Sequence, residues 1–358
     1  MNNARLNRIL DEMGKRKVPQ LLITDPASIF YLTGKWIMPG ERLLALYLNL
    51  NGGHKMVINR LFPQKEDLGM ELVWYDDVED PVEIIARLTE RDKVIGVDKV
   101  WPSRFLLRLQ ELNGASGYVN GSSIVDGVRL IKDEEEQELM RAAARANDQI
   151  MAKLVEQANK GYTETELNEI ACKLYEESGH SKTIYKPITA YGKGCADPHH
   201  VTDNTKGKQG DCVLFDIGGN LNGYCSDMTR TVFLGEASEK AREIYDIVRE
   251  AQVRGIATAK PGNRMCDVDH ACRSYIEEKG YGPYFTHRTG HSIGIEPHET
   301  GDVSAVNQEI IRPGQFFSVE PGIYLREEGI GVRIEDLVLI TKDGCEVLTH
   351  YTKELKII

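Results

Sequence analysis

Apolar positions in the first third of the chain alternate between two periods. Leu6, Ile9, Leu10 and Met13 recur at helical spacing over residues 4–14. "QLLIT" at residues 20–24 is short and apolar and predicts a buried strand. "LLALYLNL" and "HKMVIN" flank "NGG" at residues 51–53, which predicts a strand pair around a tight turn. "PVEIIARL" has a helical pattern, "KVIGVD" that of a strand, and "PSRFLLRLQEL" is helical again. These elements predict a small α/β domain over residues 1–128. The stretch "IKDEEEQELMRAAARANDQIMAKLVEQA" then predicts a long helix that opens a second domain, residues 129–358. Its acids favour the positive N-terminal end and are expected to be solvated.

The second domain contains an internal echo. "LYEESG" at residues 174–179 resembles "YIEEKG" at residues 275–280. Each follows a long helix, a glycine (Gly161, Gly262) and a second helix with an Ala-Cys pair (Ala171-Cys172, Ala271-Cys272). Two helix–loop–helix units, each followed by strands, predict a duplicated α+β half.

Charged residues interrupt this pattern where it is most apolar. "CVLFDIGG" predicts a strand ending at Asp216, residues 218–223 a turn, and "TRTVFLG" the return strand after Asp227. Side chains paired across such a hairpin share a face, so two carboxylates converge there and would repel each other. "HRTGHSIGIEPHE" places His287, His291 and His298 within twelve positions. "FFSVEPGIY" ends an apolar run at Glu320, and "GVRIEDLVLI" sets Glu335 inside what reads as one buried strand, sharing a face with Arg333. A carboxylate in such a strand is costly unless paired or bound to metal. Four acids and one neutral imidazole match the charge of two divalent cations, and this donor set suits Mn²⁺, Co²⁺, Fe²⁺ or Zn²⁺.

Composition narrows the class further. The 358 residues carry a net charge of −11, with a pI near 5.4, which argues against nucleic acid as a partner. No apolar run is long enough for a membrane span, and residues 1–17 lack a signal-peptide core. Seven cysteines, none in a CxxC spacing, fit reduced thiols in the cytoplasm.

"DIGGNLNGYCSDMTRT", "THRTGHSIG", "SVEPGIY" and "GVRIEDLVLIT" resemble the metal motifs of the pita-bread metallopeptidases, which include methionine aminopeptidase, aminopeptidase P, prolidase and the metal-free creatinase. "ITDPASIFYLTG" resembles the N-terminal domain of creatinase, aminopeptidase P and prolidase. The resemblance implies a creatinase-like α/β domain followed by a larger α+β pita-bread domain with pseudo-two-fold duplication. It also implies five ligands to two divalent ions, Mn²⁺ favoured: Asp216, Asp227, His291, Glu320 and Glu335. His199 and His298 would stabilise the substrate and the tetrahedral intermediate, and Glu320 would shuttle a proton. His287 would line the site, with Tyr324 and Arg333 supporting the ligands. His200 is expected to be only a neighbour, Cys225 a core residue and Asp336 a structural hydrogen-bonding group.

A separate N-terminal domain disfavours methionine aminopeptidase, and retention of all five ligand positions disfavours creatinase and a non-enzymatic binding module. Xaa-Pro dipeptidase (prolidase) and aminopeptidase P remain, both acting on small peptides before proline, which lacks an N–H and has a fixed φ. Two departures bear on that choice. "HETGDVSAVN" lacks the proline and arginine that prolidases commonly carry after the "PHE" motif, and "GKGCADPHH" stands where relatives often read "NSAxPHH". Relatives with this N-terminal domain are commonly dimers, and Trp36 and Arg42 in "GKWIMPGERL" are residue types enriched at interfaces.

Overall fold

The computed structural model describes residues 1–183 and 187–358. It divides into two units, Met1–Arg129 and Leu130–Ile358.

The first unit runs α1 (Asn3–Lys15), β1 (Gln20–Ile23), α2 (Pro26–Thr33), β2 (Ala45–Asn49), β3 (Lys55–Asn59), β4 (Glu71–Tyr75), α3 (Pro81–Leu88), β5 (Val94–Val97), α4 (Ser103–Glu111), β6 (Gly117–Asn120) and α5 (Ser122–Arg129). Its sheet has the order β4-β3-β2-β1-β5-β6, with β1 antiparallel to β2 and parallel to β5. The expected hairpin β2–β3 turns through Gly52 and Gly53, both at positive φ (89° and 73°). The core gathers Leu22, Ala45, Val57, Ile85, Ile95 and Leu109.

In "ITDPASIFYLTG", Asp25 caps α2 by accepting from the amides of Ala27 and Ser28, Pro26 opens the helix, and Gly34 closes it in the left-handed region. Asp25 also takes Arg129 Nη1 at 3.0 Å with both side chains buried, which ties α2 to the end of α5. β4 and β6 are mostly half-buried or exposed, so no clean alternation announces them. Trp36 is 45% exposed and stacks on Phe30, and Arg42 pairs with Asp77.

The second unit begins with α6 (Glu134–Val155) and α7 (Glu164–Glu177). These lead into β7 (Lys182–Thr183), β8 (Ile188–Tyr191), β9 (Cys212–Leu221) and β10 (Tyr224–Phe233). A second helix pair follows, α8 (Glu239–Thr258) and α9 (Met265–Glu278). The chain then forms β11 (Gly290–Ser292), β12 (Glu299–Val303), β13 (Phe316–Val319), β14 (Gly322–Leu325), β15 (Ile330–Arg333), β16 (Asp336–Ile340) and β17 (Cys345–Val347).

The duplication is present: α7 and α9 are each 14 residues long, preceded by a left-handed glycine (Gly161, Gly262) and followed by another (Gly179, Gly280). The strands form one sheet with order β10-β9-β7, where β8 also joins β9, another with order β12-β11-β13-β16-β17, and the two-stranded ribbon β14-β15. Ile244, Val248, Val268, Phe317, Val319 and Val338 share one core, and Met151, Leu167, Phe215 and Met228 share another.

The acidic start of α6 corrects one expectation. Glu134 and Glu135 are solvated, but Glu136 is 1% exposed. It closes a capping box with Asp133 and accepts from the buried Tyr224 hydroxyl at 3.0 Å.

Candidate metal centre

The hairpin carrying the two aspartates is longer than its sequence indicates. β9 continues past Asp216 to Leu221, and the turn is only Asn222 (φ 53°) and Gly223 (φ 90°). Asp216 opposes Thr229, and Asp227 opposes Gly218. Residues two apart on a strand share a face, so Asp216, Asp227 and Thr229 project together and the acids meet diagonally rather than head-on. Gly219 lies inside the strand because a Cβ there would sit 2.4 Å from the Tyr175 ring.

The two glutamates sit at breaks. "GVRIEDLVLI" is not one strand: β15 ends at Arg333 and β16 starts at Asp336, leaving Glu335 between them. Glu320 likewise separates β13 from β14. The ladder pairs Val319 with Asp336 and Gly322 with Arg333, so Glu320 and Glu335 face one another where it is interrupted. Their amides bond elsewhere, Glu320 to Thr289 O (2.8 Å) and Glu335 to Thr229 O (3.1 Å). That shift of partners frees both side chains to leave the sheet.

His291 completes the cluster from β11. Its Nε2 lies 3.4 Å from Glu320 Oε1 and 3.8 Å from Asp227 Oδ2. Its Nδ1 is 3.3 Å from the carbonyl of Ser292, which places the ring proton on Nδ1 and turns the Nε2 lone pair toward the acids. One ligand atom from each of Asp227, His291 and Glu335 falls within 4.8 Å of the others. Arg333 does not pair with Glu335. Its Nη2 holds Asp216 Oδ2 at 2.5 Å, Nη1 reaches the Tyr324 hydroxyl at 3.0 Å, and Nε reaches Thr229 Oγ1 at 3.1 Å. The Tyr324 hydroxyl lies 2.7 Å from His287 Nε2, whose other nitrogen meets Arg288 O.

The electrostatics fit a cation. Burial, then Asp227, Glu320 and Asp216, push the Glu335 pKa well up. Burial raises Glu320 to about 7, with Asp216 adding and Arg333 opposing. Burial also holds His291 down to about 3, helped by His298, so it is neutral as a ligand must be. Thr229 Oγ1 donates to Glu335 Oε2 at 2.7 Å, while Glu335 Oε1 is buried with no hydrogen-bond partner among the described residues. A buried carboxylate oxygen left bare beside other acids is unfavourable alone and suits a divalent ion, so the residues present fit such a group.

These side chains floor a cleft of about 700 Å³, also lined by His199, His287, Arg288, Glu296 and His298. His298 packs on His291, ring centroids 3.9 Å apart. His287 is held to about 4 by burial and by Arg333. Outside the cleft lining, His200 turns to Glu164 (2.7 Å), Cys225 is buried against Ile295 O, and Asp336 is enclosed by Arg230, Gln252, Thr349 and Lys353.

Sequence reading passed over Thr229, Ser318 and Arg288. Ser318 Oγ donates to Glu320 Oε1 at 3.0 Å. Period two from Asp227 and from Glu320 would have placed Thr229 and Ser318 on the same faces as those acids. Arg288 had no such signal.

The second unit matches the model of metallopeptidase family M24 over residues 138–342, and residues 5–131 match the creatinase/prolidase N-terminal domain. An uncharacterized peptidase of Staphylococcus aureus is 34% identical, the alignment covering 98% of this chain and 100% of that protein. The structure of a prolidase from Thermococcus sibiricus superposes with a TM-score of 0.94 at 32% identity, covering 100% of this chain and 99% of that one. An Xaa-Pro dipeptidase from Bacillus anthracis gives 0.91 at 30% identity, with 99% of each chain covered. The chain therefore belongs to metallopeptidase family M24, as a metallo-exopeptidase with a creatinase/prolidase N-terminal domain.

Proposed function

We propose that the protein is a dinuclear Xaa-Pro dipeptidase, cleaving the peptide bond before proline in small peptides with catalytic residues confined to residues 129–358. The observation that carries this reading is the bare, buried Oε1 of Glu335 within a cluster of acids and one neutral imidazole. The similarity to prolidases supports the substrate class. Asp216, Asp227, His291, Glu320 and Glu335 would hold two divalent ions, Mn²⁺ favoured, with Co²⁺, Zn²⁺ or Fe²⁺ as alternatives. Such ions, when bound, supply Lewis acidity and bring a water's pKa toward neutrality.

The chain's own groups do the rest. Glu320 accepts a proton from the attacking water and returns it to the leaving proline nitrogen. His298 and His199 donate to the scissile carbonyl oxygen as negative charge grows on it. Thr229 fixes which oxygen of Glu335 stays free, and Arg333 orients Asp216 while reaching His287 through Tyr324. Seven cysteines with no CxxC spacing support a cytoplasmic setting, and the exposed Trp36 supports a homodimer.

The test is metal content together with hydrolysis of an Xaa-Pro dipeptide and an Xaa-Pro-Xaa tripeptide. Metal-dependent cleavage favouring the dipeptide is expected. Preference for the tripeptide would make the protein an Xaa-Pro aminopeptidase, and metal binding without hydrolysis of either would leave a peptide-binding module.

A further inference from the structure

His298 is exposed. Its ring lies against His291, and Arg288 Nη2 reaches its Nδ1 only at the long distance of 3.5 Å. It belongs to residues 293–298, which connect β11 to β12 without helix or strand. The β11–β12 ladder shifts register directly after His291 and resumes with Ser292 opposite Glu299. Where the His298 ring stands is therefore set by how that connection is folded.

The connection folds around a buried carboxylate. Glu299 Oε1 accepts from the amides of Ile295 (2.9 Å) and Glu296 (3.4 Å). Its Oε2 takes Lys132 Nζ at 2.9 Å, the two side chains being 5% and 1% exposed. Gly294 passes flat against this group, since a Cβ there would lie 2.7 Å from each carboxylate oxygen. Strand β10 grips the same end: Cys225 N donates to Gly294 O at 2.7 Å, and Cys225 Sγ to Ile295 O at 3.2 Å. Lys132 is itself fixed ahead of α6, its amide donating to Gly314 O (2.9 Å) and its carbonyl accepting from Gln137 Nε2 (3.0 Å). Amides that no strand satisfies thus find their acceptor in a side chain, and an ammonium 167 positions away meets its charge. Neither Lys132 nor Glu299 is among the described residues that line the cleft.

We infer that Lys132 and Glu299 are positioning residues for His298: the buried pair fixes the connection that carries the ring, and so holds it where it can donate to the scissile carbonyl oxygen. This rests on the role given to His298 above and extends it to two residues outside the cleft. A buried ion pair gains little stability over apolar residues of similar volume, while its geometry is exacting. A donor displaced by about 1 Å can cost on the order of a hundredfold in rate.

The experiment uses two variants. Glu299→Asp keeps the charge but draws the carboxylate back from the two amides, and the double variant Lys132→Met/Glu299→Gln removes both charges together. Each is made in the wild type and in His298→Ala, and metal content, melting temperature, kcat and KM for Leu-Pro are measured. Both should keep their metal and lose on the order of 10- to 100-fold in kcat, with KM little changed. Glu299→Asp carries the test alone if the double variant does not fold. In the His298→Ala background the same substitutions should cost almost nothing more, because the ring they place is gone. A lower melting temperature with normal kcat per folded, metal-loaded molecule would overturn the inference. So would a kcat loss as large in His298→Ala as in the wild type. A second arm needs no turnover. In zinc-loaded protein with isotope-labelled histidine, the NMR signal of the His298 ring, identified by its loss in His298→Ala, should shift or broaden in both variants. That change without any hydrolysis would sink the peptidase reading and keep this one. An unchanged signal in a protein that hydrolyses Leu-Pro would overturn this inference and keep the peptidase reading.

Discussion

Asp336 and Glu335 are consecutive, both buried at the β15–β16 junction, and they serve two different clusters. Asp336 receives Arg230, Gln252, Thr349 and Lys353. Burial works against its charge, but Arg230 and Lys353 outweigh it and its pKa falls below the ordinary value. Among the described residues Glu335 has one donor, Thr229, and it faces Asp227, Glu320 and Asp216, so burial and then Asp227 raise its pKa. Hydrogen bonding is complete in the first cluster, which stabilises the fold. Among the described residues the second gathers four acids around one arginine and one neutral imidazole, a donor set that suits a divalent cation.

The largest break in this contrast is removal of the metal. A chelator should abolish hydrolysis, with Mn²⁺ or Co²⁺ restoring it, and His291→Ala should lose bound metal and activity together, measured by elemental analysis and turnover. Full activity in verified metal-free protein would refute the metal assignment. Asp336→Asn should act on the other cluster. It leaves Arg230 and Lys353 without their buried counter-charge, and chemical denaturation should show a loss of about 3–5 kcal/mol. The metal bound per folded molecule should stay near the wild-type level.

Next in size, His298→Ala should keep its metal and lose on the order of a hundredfold in kcat, as when an oxyanion donor is removed. A fall in melting temperature with normal turnover per folded, metal-loaded molecule would make His298 structural. Loss of metal as complete as in His291→Ala would instead make it a ligand.

The smallest effect is in pH. Glu320 has a folded pKa of about 7, above its ordinary 4.5. Its contribution to the stability of the metal-free protein is therefore full below pH 4.5 and is lost as pH rises through 7. A rise from 4.5 to about 7 is worth at most about 3 kcal/mol, and solvent reaching the 15% of its side chain left open reduces it. Glu320→Gln should flatten that part of the stability profile. Asp336 has the opposite sign: its contribution is present above pH 3.8 and lost as pH falls below it.

Several elements were legible because short-range physics specifies them. The α1 stripe, the β2–β3 turn glycines and the helix pairs α6–α7 and α8–α9 follow from spacing and caps within a few residues. Glu136 was misread because an acid in a first helical turn is normally solvated, and its burial depends on Tyr224, 88 positions away. The "GVRIEDLVLI" run was misread because apolar composition does not show where a strand changes partners.

The sequence by itself determined which side chains are chemically available: acids in apolar runs, histidines in a cluster, and motifs specific enough to indicate the family. Tertiary structure decided how they divide. It sends Arg333 to Asp216 rather than Glu335, leaves Glu335 Oε1 bare, and opens Arg288 to the cleft. Neighbouring residues along a chain can belong to different clusters because pairing and burial are set by strands brought together from distant positions. A charged group's free energy depends on those through-space neighbours rather than on its place in the chain.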